Sequence, residues 1–141
     1  LAKNVRLVTI ISLLLIFGVE YLMIHCGQFG YRAFNIHIGA MFGTMMAFNV
    51  WFRIWPAQQK IIAAIRDGEA PDGDLVALAG LRSKHNTYLS VPLIWTMINE
   101  HTVVFSGKLC GCTGLVLAIV IPLGWHIVFQ LYKKSAKVEG F

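Results

Sequence analysis

Four long apolar stretches, divided by short polar turns and one long polar connection, set the pattern of this chain. The first runs from about Val5 to Ile24 and is dominated by Leu, Ile, Val and Phe, with Glu20 as its interruption. The second runs from about Phe34 to Trp55 and stops at Pro56. The third covers about 87–105 with Pro92 inside it, and the fourth about 109–132 with Pro122 inside it. Each approaches the ~20 residues a helix needs to cross a ~30 Å hydrocarbon core. Proline is tolerated in such helices, because neighbours satisfy the carbonyl it frees. The pattern therefore predicts an all-α integral membrane protein, with four transmembrane helices bundled into a single membrane domain over residues 1–141.

The polar connection, residues 56–86, has apolar positions at 61, 62 and 65 before Asp67-Gly68 breaks the spacing. That predicts a short amphipathic interfacial helix over Ala57–Arg66. Residues 69–74 read as a turn-rich loop, and 75–81 as a second short helix leading to Arg82.

Composition supports a lipid-facing chain. Only 13% of the residues are charged and 57% are hydrophobic, too few charges to cover a soluble surface, which carries about 25%. No long basic stripe with interleaved aromatics is present, which argues against a nucleic-acid partner. Ten of the twelve Lys and Arg residues fall on one side of the predicted spans: Lys3, Arg6, Arg53, Lys60, Arg66, Arg82, Lys84, Lys133, Lys134 and Lys137. Arg32 and Lys108 fall on the other. The positive-inside rule makes the richer side cytoplasmic. Both termini and the long connection then face inward, in a multi-pass protein of a bacterial inner (cytoplasmic) membrane. The run after Lys3 and Arg6 lacks a small-residue cleavage site, so it reads as a retained helix rather than a leader. Cys26, Cys110 and Cys112 fall on the outer side, where an oxidising compartment would permit Cys26 to pair with either of the others. Spacing does not decide between a disulfide and free thiols. There is no C-x-x-C-H, so covalent c-type haem is not expected.

Ionisable residues are costly inside a bilayer and tend to be functional there. His37 and His101 are expected about one turn below the outer surface, on adjacent helices. His85 opens the third span at the inner surface, and His126 lies about two turns from the inner end of the fourth. His85 and His101 are 16 residues apart, ~24 Å along a helix, and face roughly opposite sides. This arrangement suggests two stacked bis-histidine b haems, His37 with His101 and His85 with His126, since neutral imidazole is a common axial ligand and bundles build such sites from facing helices. The plainer alternative is that each histidine bonds to a neighbour.

Gly39 and Gly43 form a G-x-x-x-G beside His37, which reads equally as close helix packing or as room for a porphyrin face. Arg32 and Arg82 are candidate partners of haem propionates, though both also serve as topology determinants. Asn99 and Glu100 adjoin His101 and could orient its ring. His25 reads as an interfacial histidine, Met97 as a fallback ligand, and Glu20 as a protonated or snorkelling acid with a proton or partner contact as the functional option. No catalytic residue stands out.

The run Asn35-Ile-His37-Ile-Gly39-Ala-Met41-Phe-Gly43-Thr-Met-Met-Ala47-Phe-Asn49-Val, followed by Ile54-Trp-Pro56-Ala-Gln58-Gln-Lys60, resembles the membrane domain of the bacterial membrane-bound urate oxidases (urate hydroxylases). So do Gly68-Glu-Ala-Pro71-Asp, Arg82-Ser-Lys-His85-Asn-Thr-Tyr88-Leu-Ser-Val-Pro92 and Asn99-Glu-His101. The resemblance spans roughly residues 30–130 and corresponds to the later half of that membrane domain, without the family's cytochrome c tail. It implies histidine at all four singled-out positions, and a redox membrane domain that hands electrons to a c-type cytochrome.

The expected function is that of a b-type cytochrome subunit, carrying electrons through one or two haems within a larger membrane redox complex. Two alternatives remain open: a urate-oxidase-like enzyme half that works with a separate cytochrome c, and a structural subunit of a respiratory or photosynthetic complex without haem.

Overall fold

The computed structural model describes residues 4–101 and 114–138. These are helical throughout, joined by short turns: α1 (Val5–Tyr21), α2 (Tyr31–Asn49), α3 (Trp55–Arg66), α4 (Gly73–Asn99) and α5 (Leu115–Ser135). α1 runs on into a π-helical turn, Leu22–Cys26, and a second π turn, Val50–Ile54, joins α2 to α3.

Local chemistry sets the ends. Asn4 caps α1 by accepting from the Leu7 amide at 3.2 Å, and Asp72 caps α4 by accepting from the Asp74 amide at 2.9 Å. Such side chains satisfy amides that have no partner in the first turn. Gly68 ends the α3 region with φ of +79°, a left-handed geometry that favours glycine.

The sequence predicted a break at Pro56 and a short helix beyond it. The helix forms as α3, but without the break: residues 31–66 are helical throughout and make one continuous rod, ~54 Å at ~1.5 Å per residue. Proline has no amide to donate to the carbonyl four residues back. The π turn immediately precedes Pro56, which sits in the first turn of α3, so the wider ladder absorbs the missing bond. Likewise, the short helix expected at 75–81 and the third span are a single helix, α4, 27 residues long, with Pro92 inside it.

Two helices are long and apolar enough to cross a membrane: Val5–Cys26, with mean hydropathy 2.4, and Leu115–Ser135, with mean hydropathy 1.9. α2 and α4 are less apolar, and they pack on each other. Ile16 of α1, Tyr31, Phe34, Ile38 and Phe42 of α2, and Leu117 and Ile121 of α5 form the buried core. α5 also meets α4 closely. A Cβ on Gly124 would lie 2.8 Å from Val91 Cγ1, and the Tyr132 hydroxyl donates to Thr87 Oγ1 at 3.0 Å.

Candidate functional site

Asparagine amides tie α2 to α4 at both ends. Near the start of α2, Asn99 donates to the Tyr31 hydroxyl. One turn further along α2, Asn35, fully buried, donates to the Thr96 carbonyl at 2.9 Å. Near the other end, Asn49 donates to Asn86 Oδ1 at 2.9 Å, and Asn86 donates to the Met46 carbonyl at 3.2 Å. Between these clamps the backbones approach so closely that a Cβ on Gly39 would collide with Thr96 Oγ1 and lie 3.2 Å from Thr96 Cβ. The space beside Gly39 is therefore filled by Thr96. Gly43 is looser, with only Leu93 Cδ1 near its Cβ position, at 3.9 Å.

These contacts fix the antiparallel register and with it the depth of each histidine. His37 lies six residues along α2 from Tyr31, or ~9 Å. His101 follows the end of α4, two residues past the Asn99 that meets Tyr31. His37 and His101 are thus on neighbouring rods, on opposite sides of the Tyr31–Asn99 contact along the chain. α4 and α5 show a similar offset. Thr87 and Tyr88 pair with Tyr132, and Lys84 lies over the Tyr132 ring at 5.4 Å, so His85 is level with the end of α5. His126 lies six residues short of Tyr132.

All four histidines are exposed. The core polar positions are taken by Asn35, Thr96, Asn99 and Glu20, while imidazoles look outward. His37 is the best anchored. Its Nδ1 lies 2.6 Å from the Ala33 carbonyl of its own helix, and its ring meets Phe29 edge-on at 5.1 Å. A carbonyl accepts only from a protonated nitrogen, so Nδ1 carries a hydrogen here, and in the neutral ring the lone pair is then on Nε2. His126 is within hydrogen-bond reach of the Gln130 amide, Nε2 to Nε2 at 3.2 Å. Partial burial of the His85 ring, and then the Arg82 charge, hold its pKa below the ordinary imidazole value. His25 stacks near Tyr21, ring centroids 4.4 Å apart. Among the described residues no group of three or more His, Cys, Asp or Glu is arranged to hold a metal ion.

Arg32 is exposed and, with Gly30, Tyr31 and Ala33, lines an open cavity of about 410 Å³ at the start of α2. Tyr31 is buried beside it. Burial chiefly raises its pKa, the Asn99 bond opposes the rise, and Glu100 adds to it. Arg82 is half-buried and its Nε has no partner among the described residues. Cys26 is exposed, while Cys110, Cys112 and Lys108 lie outside the described residues.

Sequence reasoning passed over the asparagine clamps and the inward aim of Glu20. The spacing held a clue: Asn35 and Asn49 are 14 residues apart, about four turns, and so share one face of the helix.

The model of the family described as urate oxidase N-terminal matches residues 1–139. No curated protein and no solved structure matches the chain.

Proposed function

The chain belongs to the urate oxidase N-terminal family, and from that membership we propose that it is a membrane-embedded redox domain serving urate oxidation, passing electrons through haem b to a c-type cytochrome. In this reading all four helical rods cross the bilayer, with α1 and α5 facing lipid most fully and α2 and α4 carrying a polar seam between them. Trp51, Phe52 and Trp55, 72%, 61% and 55% exposed, form the aromatic belt at the inner surface. The ten basic residues on that side make it cytoplasmic, and other subunits of the redox complex cover the histidine-bearing faces.

The observation that carries the proposal is the state of His37. A histidine on the outer face of a lipid-embedded helix is costly unless something covers it. This one has Nδ1 bonded to the Ala33 carbonyl, the orientation that frees Nε2 for a metal and raises its basicity. One axial ligand thus fits haem. The offset of His37 and His101 about the Tyr31–Asn99 contact, and of His85 and His126 about Tyr132, speaks against either pairing within one bundle. We therefore assign this chain a single axial ligand per haem, with His37 first. Bound haem would supply reversible one-electron transfer. Arg32 and Arg82 would meet carboxylates near either surface.

Reduced-minus-oxidised spectra of the purified chain or its complex, with a pyridine haemochrome assay, test the proposal. The expected result is a b-type signal lost in His37→Ala and retained in Asn86→Ala. Folded, natively isolated protein without haem would overturn it. The family's description also favours a second reading, an enzyme half that oxidises urate and uses a separate cytochrome c. Reduction of the haem on adding urate alone supports that reading, and spectra unchanged by urate sink it.

A further inference from the structure

Glu20 interrupts an otherwise apolar helix, and α1 does not turn it toward lipid. It is 5% exposed, and α1 buries only Ile16 and Glu20 among its residues. Its Oε1 has no hydrogen-bond partner among the described residues. Among the described residues no ion pair or charged group reaches it. Of the titratable groups at this end of the neighbouring rods, Tyr31 is held by Asn99, His37 by the Ala33 carbonyl, Arg32 is exposed, and Glu100 is half-buried beside Tyr31.

What the carboxyl does face is the amino end of α5. A Cβ on Gly114, the N-cap of that helix, would lie 3.0 Å from Glu20 Oε1 and 3.3 Å from Glu20 Cδ, with Ile24 Cδ1 at 3.1 Å. Glycine is what lets the carboxyl sit there. α5 is 21 residues long and, among the described residues, has no side-chain cap at this end. Its first-turn amides therefore keep a partial positive charge without a side chain to meet it.

Two opposed forces act at this one place. Apolar burial favours the neutral acid, because an unpaired carboxylate in such surroundings loses its hydration. The helix end favours the anion, as helix amino termini do for carboxylates and phosphates. A side chain held between them can release and regain a proton without moving far. We infer that Glu20 is a proton-exchange site at the outer end of the bundle, a neutral acid at rest and an anion held by the amino end of α5 when the proton leaves. The step is the dissociation of one carboxylic O–H, with the proton passing to outer-side water. The inference rests on the membrane placement given above but not on haem.

The test is infrared difference spectroscopy of the full chain in liposomes, stepping pH and exchanging H₂O for D₂O. The wild type should show a carboxylic C=O band that shifts in D₂O and diminishes as pH rises. Glu20→Gln should remove the band, and Glu100→Gln should leave it. Gly114→Ala adds no charge, and it should shift the band by pressing on the carboxyl. Circular dichroism and gel filtration confirm that each variant is folded. A band that survives Glu20→Gln, or does not exchange with D₂O, overturns the inference, as does its absence from the wild type. The haemochrome assay separates the two proposals. A Glu20-dependent band without haem sinks the redox reading alone, and haem without the band sinks the proton site alone.

Discussion

Gly39→Ala should separate the two helices that the asparagines hold together. The new Cβ would collide with Thr96 Oγ1 and lie 3.2 Å from Thr96 Cβ, with Leu93 Cδ1 at 3.8 Å. Thr96 cannot easily turn away, because its hydroxyl donates to the Leu93 carbonyl at 2.7 Å and its own carbonyl accepts from Asn35 at 2.9 Å. Overpacking of this kind costs ~1–3 kcal/mol, and alanine returns ~0.5–1 kcal/mol through its better helix propensity. A net loss of about 1–2 kcal/mol follows from those two terms. Reversible unfolding of the purified chain in mixed micelles, titrated with denaturing detergent, measures it. Gly43→Ala is the control: its Cβ meets only Leu93 Cδ1 at 3.9 Å, so that variant should be neutral or slightly more stable. Thr96→Ala in the Gly39→Ala background removes the colliding oxygen and should recover part of the loss, giving a coupling of ~1 kcal/mol, within the usual range for residues in contact. Equal effects from Gly39→Ala and Gly43→Ala, or no coupling to Thr96, would refute the close approach.

Asn86→Leu removes both the bond from Asn49 and the bond to the Met46 carbonyl; it should cost ~1–2 kcal/mol in the same assay, and no loss would show that the clamp adds nothing to stability. Tyr31 has a pKa raised above its ordinary value of 10.0, chiefly by burial. Its contribution to stability is therefore complete below that pH and is lost as pH climbs through the raised value, where the unfolded chain ionises first. Tyr31→Phe should flatten the alkaline fall in unfolding midpoint, and superimposable profiles would contradict this. His37→Ala should abolish b-type absorbance while leaving the far-ultraviolet circular dichroism intact, and an unchanged haem-to-protein ratio would remove His37 from the site.

The four helical rods were legible because long apolar runs leave few alternatives to helix, but their bounds were only partly so: α1 and the end of α5 match the runs to within a few residues, whereas the second rod runs on to Arg66 and α4 already begins at Gly73. The join at Pro56 was not legible. A proline read in isolation ends a helix, whereas a π turn over Val50–Ile54 carries the rod past it. The position of the polar seam was missed for a related reason. Asparagine is a weak signal in sequence, because the same residue caps, turns or faces water, and only pairing across two rods shows Asn35, Asn86 and Asn99 as clamps. Histidine drew attention by its rarity in apolar segments, but counting residues from the predicted ends of a span gives depth only to about a turn. Register comes from contacts such as Asn35 with Thr96, and those depend on both helices at once.

That register bears directly on how iron would be held. Antiparallel rods place two residues level only when their distances from a shared reference pair match. On α2, His37 is six residues inward from Tyr31; on α4, the reference partner is Asn99, and His101 lies two residues outward from it. Sliding the rods to bring the histidines level would break the Asn35, Asn49 and Asn86 bonds together and drive Gly39 off Thr96. That is a large cost for a bundle whose buried polar groups have no water to turn to. Haem, if bound, would then be held by His37 together with a group from a neighbour across the exposed His37 face, which leaves the seam undisturbed. If so, His37→Ala and His101→Ala act independently. Loss of the same absorbance by either single substitution, with no further loss in the double, would show that the rods do slide and that the seam yields when haem binds.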